Sequence, residues 1–455
     1  MTVGGRGRGP DRVAALGSEP VGRLLAHTTL QTTMAVATYG IYALTNAWFV
    51  ARGVGPVALA AVNVVAPVLL LLGALSTTIG TGGASVISRA LGAGDTRRAA
   101  GAAGTCLSVF WLGALALGLA GVLLIGPVLR LLGAAGAVLG PAHDYGVIIL
   151  AGAVFATGFS SLMRAEGRMG FSTLTWVIPV VTQILLDPLF IFGFGWGVRG
   201  AALGTVGGQM VSSAMGTWFF LGQRRRPYRI RPRDLLPRRT VLVEIVQIGT
   251  PSFLSGFGRT LLTTVINNLL AGFGGVGALG AFAIASRIAT FALMPQLGIT
   301  QALQPIVGFN VGAGYGGRAA RAVRLSVWAS VGYGTVTSGF VVGWAGAIAR
   351  TFTGDPIVVS EAIRALRLLA LSYPVAGLVA LVAAAYQSVG RAVPSLWLSV
   401  GTLAGIKVPA VLLLAGFGLA GIWVSFPAGE LLSAVVALMV LRGLAGSPLR
   451  ATTGR

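Results

Sequence analysis

Five ionisable residues lie inside long apolar segments of this 455-residue chain: Asp187, Arg259, Arg287, Lys407 and Glu430. Each segment is long enough to cross a bilayer, and a charge is costly to keep there. Ionisable groups that persist inside a membrane line water-filled cavities, pair with one another, or relay protons and ions. These five residues are therefore the first candidates for chemistry in this sequence.

Asp187 stands before a proline in the stretch TQILLDPLFIF. Polar side chains on the same apolar segment and on two others predict a hydrated pocket around it: Asn46, Tyr42, Gln183, Thr205 and Gln209. These residues are the candidates for coupling a cation and binding a substrate. The alternative is a carboxyl group that is neutralised by interhelical hydrogen bonds and serves packing alone.

The other four ionisable residues, Arg259, Arg287, Lys407 and Glu430, lie on four different predicted helices at comparable depth. They predict one polar cluster, in which three cations exceed one carboxylate by two charges. In one interpretation, Glu430 neutralises one or two of the cations and holds these helices together. In the other, the excess positive charge contacts an anionic group on a substrate.

The composition excludes several classes of protein. The chain is 55% hydrophobic and only 10% charged, whereas about a quarter of the residues of a soluble domain are charged. One cysteine, Cys106, and two distant histidines, His27 and His143, offer no disulfide framework and no metal-ligand spacing. No Gly-rich nucleotide loop follows a strand, and no activated Ser or Cys is evident. We therefore expect no metal, no cofactor and no enzymatic activity.

Apolar runs bounded by Gly, Pro and Arg predict twelve transmembrane helices, near 24–50, 57–88, 101–132, 144–164, 171–193, 200–222, 241–270, 277–309, 322–348, 364–387, 393–415 and 419–441. The loop ALGAGDTRRAA at 90–100 has a counterpart, NVGAGYGGRAA, at 310–320. Six helices separate the two loops, so the halves share one orientation, as in parallel-repeat secondary transporters. The fold class is therefore an all-α polytopic membrane protein with two pseudo-symmetric six-helix bundles.

The distribution of arginine predicts the orientation. The two tails and the even-numbered loops hold 24 arginines, and the odd-numbered loops hold six. Basic loops remain cytoplasmic, so both termini are predicted there, and the net charge of +22 reflects membrane topology rather than nucleic-acid binding. The predicted divisions are a cytoplasmic N-terminal tail (1–23), an N-terminal bundle (24–222), a basic cytoplasmic linker (223–240), a C-terminal bundle (241–442) and a cytoplasmic C-terminal tail (443–455).

A series of stretches carries a family resemblance over nearly the whole chain: YALTNAWFVARGVGPVALAAVNVVAPV, SRALGAGD, RAEG, ILLDPLFIFGFGWGVRGAALGT, PQLGITQALQPIVGFNVGAGYGGRAARA, YQSVGRAVPS and GIWVSFPAGELLS. In this order they resemble the bacterial branch of the multidrug and toxic compound extrusion (MATE) transporters. The resemblance implies a V-shaped antiporter in the bacterial cytoplasmic membrane, acting as a monomer. It would export organic, often cationic, compounds against proton or sodium entry.

The resemblance also assigns the site. In that branch an aspartate of helix 1 and the aspartate of an LDP motif form the cation-linked site, accompanied by a tyrosine. Asp187 matches the second aspartate and Tyr42 fits the tyrosine, but Asn46 occupies the first position and Gln183 replaces a frequent asparagine. An amide cannot titrate, so a two-carboxylate sodium site is not expected. Proton coupling through Asp187 is the preferred hypothesis.

Two transport functions remain open at this point. The first is a proton-coupled exporter of drug-like or natural-product compounds that works by alternating access. The alternative is a flippase or exporter of an anionic or lipid-linked amphiphile, whose headgroup would contact the C-terminal cations. A channel is disfavoured by the two-lobed repeat. The expected partners are an organic substrate, a coupling ion (H+ rather than Na+) and the lipid bilayer.

Overall fold

The computed structural model describes residues 11–156, 158–223 and 226–446, and within these ranges it contains helices and connecting loops with no β-strand. The α-helices are α1 Asp11–Ser18, α2 Val21–Gly53, α3 Pro56–Gly92, α4 Thr96–Leu131, α5 Leu139–Ala151, α6 Phe159–Ala165, α7 Met169–Pro188, α8 Gly197–Thr217, α9 Arg239–Gly312, α10 Gly316–Phe352, α11 Pro356–Ala370, α12 Tyr373–Ala376, α13 Leu378–Ser388, α14 Ala392–Leu396, α15 Val408–Ala415 and α16 Gly418–Gly446. Short π-helical turns follow α7, α8 and α14.

These helices confirm the twelve predicted segments, although many ends differ by several residues and the predicted helix 144–164 is divided between α5 and α6. In the described part of the chain, nine helices are long and apolar enough to span a membrane, and the pair α11 and α12–α13, bent by 47°, makes ten. One of the nine, α9, covers two predicted helices, because Gly275 breaks it with φ 57° and ψ −147°. Counting α9 twice and adding α8 gives the twelve spans.

The repeated loop has the same backbone geometry in both copies. Gly94 and Gly314 adopt φ values of 74° and 77°, a left-handed conformation that glycine adopts without steric cost. The Gly94 N–H donates to the Leu91 carbonyl at 3.2 Å, and the Gly314 N–H donates to the Val311 carbonyl at 3.1 Å. The sequence repeat is thus a structural repeat.

The chain divides into two compact units. Of the described residues, the first holds 11–16 and Met34–Gly249, and the second holds Gly17–Thr33 and 250–446. The first unit has an apolar core that includes Val65, Tyr145 and Ala201. The core of the second includes Phe282, Leu366 and Trp423. The domain boundaries inferred from the sequence stay predictions, and 1–10 and 447–455 of the predicted tails lie outside the described residues.

The predicted linker is tied to the first unit by a buried ion pair. Arg226 Nε donates to Glu166 Oε2 at 3.2 Å, and the Tyr228 hydroxyl donates to Glu166 Oε1. The Arg226 guanidinium also lies 4.6 Å from the ring centroids of Phe220 and Tyr228. Burial raises the pKa of Tyr228 well above its ordinary value, so the phenol remains a hydrogen-bond donor. Glu166 thus pairs with an arginine of the linker.

Replacing Arg226 with alanine should destabilise the first unit strongly. The side chains of Arg226 and Glu166 are 1% and 0% exposed, so the substitution would leave a buried carboxylate without its cation. Breaking such a pair costs about 3–5 kcal/mol. Thermal and denaturant unfolding in detergent would measure the loss.

Arg98→Ala is the matched control for this experiment. Arg98 is half exposed and shares Glu244 with Arg89, which remains in place. An exposed ion pair contributes roughly 1 kcal/mol or less to the free energy of unfolding. Equal losses of stability in the two variants would show that the buried pair has no special role.

Candidate coupling and substrate sites

Asp187 is buried where α2, α7 and α8 meet in the first unit, and 1% of its surface is exposed. Asn46 Nδ2 donates to its Oδ2 at 3.4 Å, and Gln183 Nε2 donates to the same oxygen at 3.5 Å. Asn46 and Gln183 are themselves 7% and 4% exposed. The structure therefore brings together the carboxyl group and the two amides that the sequence singled out.

The backbone around Asp187 has two special features. Pro188 ends α7 and has no N–H to donate, and the chain continues as a π-helical turn over Leu189–Gly193. On α8, a Cβ added to Gly204 would lie 2.0 Å from Asp187 Oδ1. Only glycine lets the α8 backbone approach this closely, and Gly204 thereby fixes where the carboxyl group can lie.

A second group of side chains surrounds this contact. Gln183 Nε2 donates to Thr205 Oγ1 at 3.0 Å, and Thr205 donates in turn to the Ala201 carbonyl at 3.1 Å. The Tyr42 hydroxyl interacts with Thr205 and Gln183. Thr205 and Tyr42 thus join the site as predicted residues that contact Gln183 rather than Asp187.

Tyr145 of α5 also belongs to this group, and the sequence analysis did not identify it. Its side chain is 1% exposed, and its hydroxyl interacts with Thr205. The available signal was a single tyrosine at the start of an apolar helix, in HDYGVIIL. Sequence alone gave no reason to place that helix beside α8.

Gln209, one turn beyond Thr205 on α8, is the predicted site residue that the structure does not bring to Asp187. No described hydrogen bond joins the two side chains. The Gln209 Oε1 atom is buried and has no hydrogen-bond partner among the described residues. Gln209 therefore offers a free acceptor near the site rather than a contact to the carboxyl group.

The Asp187 carboxyl is incompletely satisfied. Its Oδ1 atom has no hydrogen-bond partner, and no basic residue in the described part of the chain lies within 4.0 Å of it. An ionised carboxylate buried without a counter-ion is costly, and protonation removes that charge. Within the described ranges no group of three or more His, Cys, Asp or Glu residues could hold a metal ion.

The four ionisable residues of the second unit are only partly brought together. Lys407 Nζ lies 2.5 Å from Glu430 Oε1, and both side chains are about one-fifth exposed, at 19% and 22%. Arg259 interacts electrostatically with Glu430 but does not form an ion pair with it. Arg287 is exposed, and no acidic residue of the described chain pairs with it. One neutral pair and two uncompensated guanidinium groups result.

A many-helix membrane protein with two repeated halves and an isolated intramembrane carboxyl has the construction of a secondary transporter. The model of the MatE family matches residues 32–189 and 251–413, most of the chain. This protein therefore belongs to the MATE family. It is a multi-pass membrane efflux transporter and not an enzyme.

Two relatives match nearly end to end. The FAD transporter of Shewanella oneidensis is 25% identical over 444 residues, which cover 96% of this chain and 97% of that protein. The multidrug export protein MepA of Staphylococcus aureus is 27% identical over 440 residues, which cover 93% of this chain and 94% of that protein. The two relatives differ in the substrates that their names give.

Solved structures share the fold. The crystal structure of a MATE protein in the bent conformation is similar with a TM-score of 0.91 and 24% identity, covering 97% of this chain and 99% of that one. The outward-facing conformation of a multidrug resistance MATE family transporter has a TM-score of 0.88 and 24% identity, covering 99% of this chain and 100% of that one. This likeness establishes the twelve-helix architecture.

The close approach of Gly204 to Asp187 leads to a prediction. In Gly204→Ala, the new methyl group would occupy the position of Asp187 Oδ1, so the carboxyl group must move away from Asn46 and Gln183. A shift of about 1 Å in a functional group can cost on the order of a hundredfold in rate. We therefore expect the rate of transport to fall by a factor of about ten to a hundred, while the protein remains folded.

Gly126→Ala is the control, since nothing lies within 4 Å of a Cβ at that position. Normal transport by Gly204→Ala would contradict this role.

Proposed function

We propose that this transporter exports organic compounds by alternating access and couples export to proton entry through Asp187. It works as a monomer in the bacterial cytoplasmic membrane, with both termini in the cytoplasm. The observation that carries the proposal is a carboxyl group that is 1% exposed, with one oxygen unpartnered and no described cation beside it. Such a group can carry a proton through an otherwise apolar unit.

The neighbours of Asp187 support a proton rather than a metal ion. Asn46 and Gln183 both direct amide nitrogens toward Oδ2. Amide donors stabilise a carboxylate but repel a cation, because their N–H groups carry partial positive charge. With a single carboxylate and two donors, this site lacks the set of oxygen ligands that hard cations such as Ca2+ and Mg2+ require, and we extend that argument to Na+.

Proton release and substrate binding would be linked at this site. Deprotonated Asp187 presents an unpartnered Oδ1 atom and a negative charge, and Tyr42 and Thr205 add polar groups beside its neighbour Gln183. A substrate that donates a hydrogen bond or carries positive charge would be favoured by the deprotonated form. Protonation from the outside would remove that attraction and release the substrate.

The relatives suggest two kinds of substrate. MepA is a multidrug export protein and the Shewanella protein is an FAD transporter. We propose that the substrate is an amphipathic organic molecule with a planar ring system, a description that fits drug-like compounds and flavins alike. Ethidium and FMN serve as one cationic and one anionic probe of this class.

The test is efflux from proteoliposomes under an imposed gradient. Protein is reconstituted with ethidium or FMN, and a proton gradient or a sodium gradient is applied separately. The proposal predicts efflux of at least one probe that is driven by protons and is unaffected by sodium. Efflux driven only by sodium, or efflux of both probes that an imposed proton gradient does not accelerate, would refute proton coupling.

A further inference from the structure

The second unit keeps two positive charges inside the membrane that its one local carboxylate does not neutralise. Lys407 and Glu430 form a pair at 2.5 Å, which leaves the guanidinium groups of Arg259 and Arg287. Neither arginine has an acidic residue within ion-pair distance among the described residues. Uncompensated charge at this depth is expensive and is found where it has a function.

The four groups lie in one layer of the unit. Gly258 of α9 packs directly on Leu403, since an added Cβ would lie 2.1 Å from Leu403 Cδ2. Arg259 is one residue beyond Gly258, and Lys407 is four residues beyond Leu403. At about 1.5 Å per helical residue, these offsets correspond to roughly 1.5 and 6 Å along the axes. Arg259 and Lys407 therefore lie at similar heights.

Arg287 and Glu430 are placed in the same way. The ring centroids of Phe282 and Phe426 are 5.8 Å apart, which aligns the second half of α9 with α16. Arg287 lies five residues beyond Phe282, and Glu430 lies four residues beyond Phe426. The two offsets differ by one residue, about 1.5 Å, so Arg287 and Glu430 also share a height. Because Glu430 pairs with Lys407, the height shared by Arg259 and Lys407 is also the height shared by Arg287 and Glu430.

Both arginines are exposed. An arginine in the middle of a span that faced lipid would carry a large energetic cost, whereas one that faces a water-filled cavity would not. We therefore infer that the exposed side chains of Arg259 and Arg287 face a water-filled cavity rather than lipid. The buried Oε2 atom of Glu430 has no hydrogen-bond partner in the described structure, so the pair with Lys407 leaves one polar atom of this layer unsatisfied.

We propose that Arg259 and Arg287 bind an anionic group of the substrate, a phosphate or carboxylate. Guanidinium groups form strong charge-assisted, often bidentate, hydrogen bonds with such groups. The Lys407–Glu430 pair sets the local charge, so the layer attracts an anion without carrying three free cations. The inference rests on the proposed export function and names the substrate class: organic anions or zwitterions.

Binding of two matched flavins tests the proposal. FMN and riboflavin share a ring system and differ by one phosphate. Their affinities are measured by fluorescence anisotropy with the full chain in phosphatidylcholine nanodiscs, with no ion gradient. We expect FMN to bind about tenfold more tightly than riboflavin, the scale of a hydrogen bond to a charged group. A lack of preference for FMN, including no binding of either flavin, would overturn the proposal.

Variants separate a charge effect from loss of structure. Arg259→Gln and Arg287→Gln should each weaken FMN binding about tenfold and leave riboflavin binding unchanged. Arg259→Lys and Arg287→Lys should bind FMN more tightly than the glutamine variants and less tightly than wild type, because lysine retains the charge but not the bidentate geometry. Arg350→Gln, an exposed arginine elsewhere in the second unit, is the control and should change nothing. Equal losses for both flavins in the glutamine variants would contradict anion binding.

One variant should bind more tightly than wild type. Glu430→Gln removes the only carboxylate of the layer and frees the charge of Lys407, so FMN affinity should rise several-fold. Damage to the fold cannot produce tighter binding, so unchanged or weaker FMN binding in this variant would count against the proposal.

A further arm identifies the source of the anionic group. Nanodiscs that contain phosphatidylglycerol would weaken FMN binding if a lipid phosphate occupies the arginines, and would leave it unchanged if the ligand is a soluble anion. Both results support an anion site and assign its ligand. Because no gradient is applied, the preference for FMN over riboflavin does not require proton coupling, and the coupling proposal can fail while this one stands.

Discussion

Asp187→Asn is expected to abolish proton-driven efflux. The substitution replaces one carboxyl oxygen by an amide nitrogen of almost the same size, in a position that is 1% exposed. The buried volume is therefore retained, and the capacity to take up a proton is lost. Substrate accumulation driven by a proton gradient should fall to background, while passive exchange of substrate down its own gradient persists. Efflux from proteoliposomes, with and without the gradient, measures both.

The control for this experiment is Glu430→Gln, which removes another intramembrane carboxyl group, from the second unit. It should retain proton-driven efflux, although its affinity for an anionic probe changes. Proton-driven efflux that survives Asp187→Asn at more than a small fraction of wild type would disprove the assigned role. Loss in both variants would mean that coupling involves both carboxyl groups.

Asn46→Asp is expected to change the coupling ion. Asn46 Nδ2 lies 3.4 Å from Asp187 Oδ2, so the substitution would place two carboxyl groups within hydrogen-bonding distance. Two carboxylates this close cannot both remain ionised without a shared proton or a cation between them. We predict that sodium stimulates efflux by this variant, whereas wild type is insensitive to sodium. Efflux measured against sodium concentration at constant pH would detect the change.

The corresponding control is Asn46→Ala, which removes the amide donor without adding a carboxyl group. It should weaken the contact to Asp187 and gain no sodium dependence. If Asn46→Asp and Asn46→Ala behave alike, then the amide only packs against Asp187 and the identity of the helix 1 residue does not select the ion.

The sequence predicted the helices, and the structure brings into contact three of the residues that it proposed for the candidate site. Apolar runs bounded by Gly, Pro and Arg define helix positions because the bilayer requires continuous apolar segments. The cost of burying a carboxyl group drew attention to Asp187, and the polar residues of its own and neighbouring helices included its partners, Gln183 of α7 and Asn46 of α2. The positions of the helices and the location of Asp187 can therefore be predicted from local spacing and from the energetic cost of burying charge in a membrane.

Contacts that depend on packing between distant helices were not predictable. Tyr145 joins the site because α5 packs beside α8, and Gly204 fixes Asp187 because two backbones approach closely; neither fact is encoded in local spacing. Glu166 pairs with Arg226, which lies 60 residues away in the linker. The C-terminal cluster was predicted from depth alone, which cannot specify that Glu430 pairs with Lys407 rather than with an arginine.

The most direct test of proton coupling is proton release on substrate binding. Purified transporter in weakly buffered solution with a pH-sensitive dye receives ethidium or FMN, whichever is transported. If substrate and proton compete at Asp187, wild type should release protons when substrate binds, and Asp187→Asn should release none while still binding the probe. Equal proton release by both proteins, or binding by wild type without any release, would contradict the claim that Asp187 couples export to proton entry.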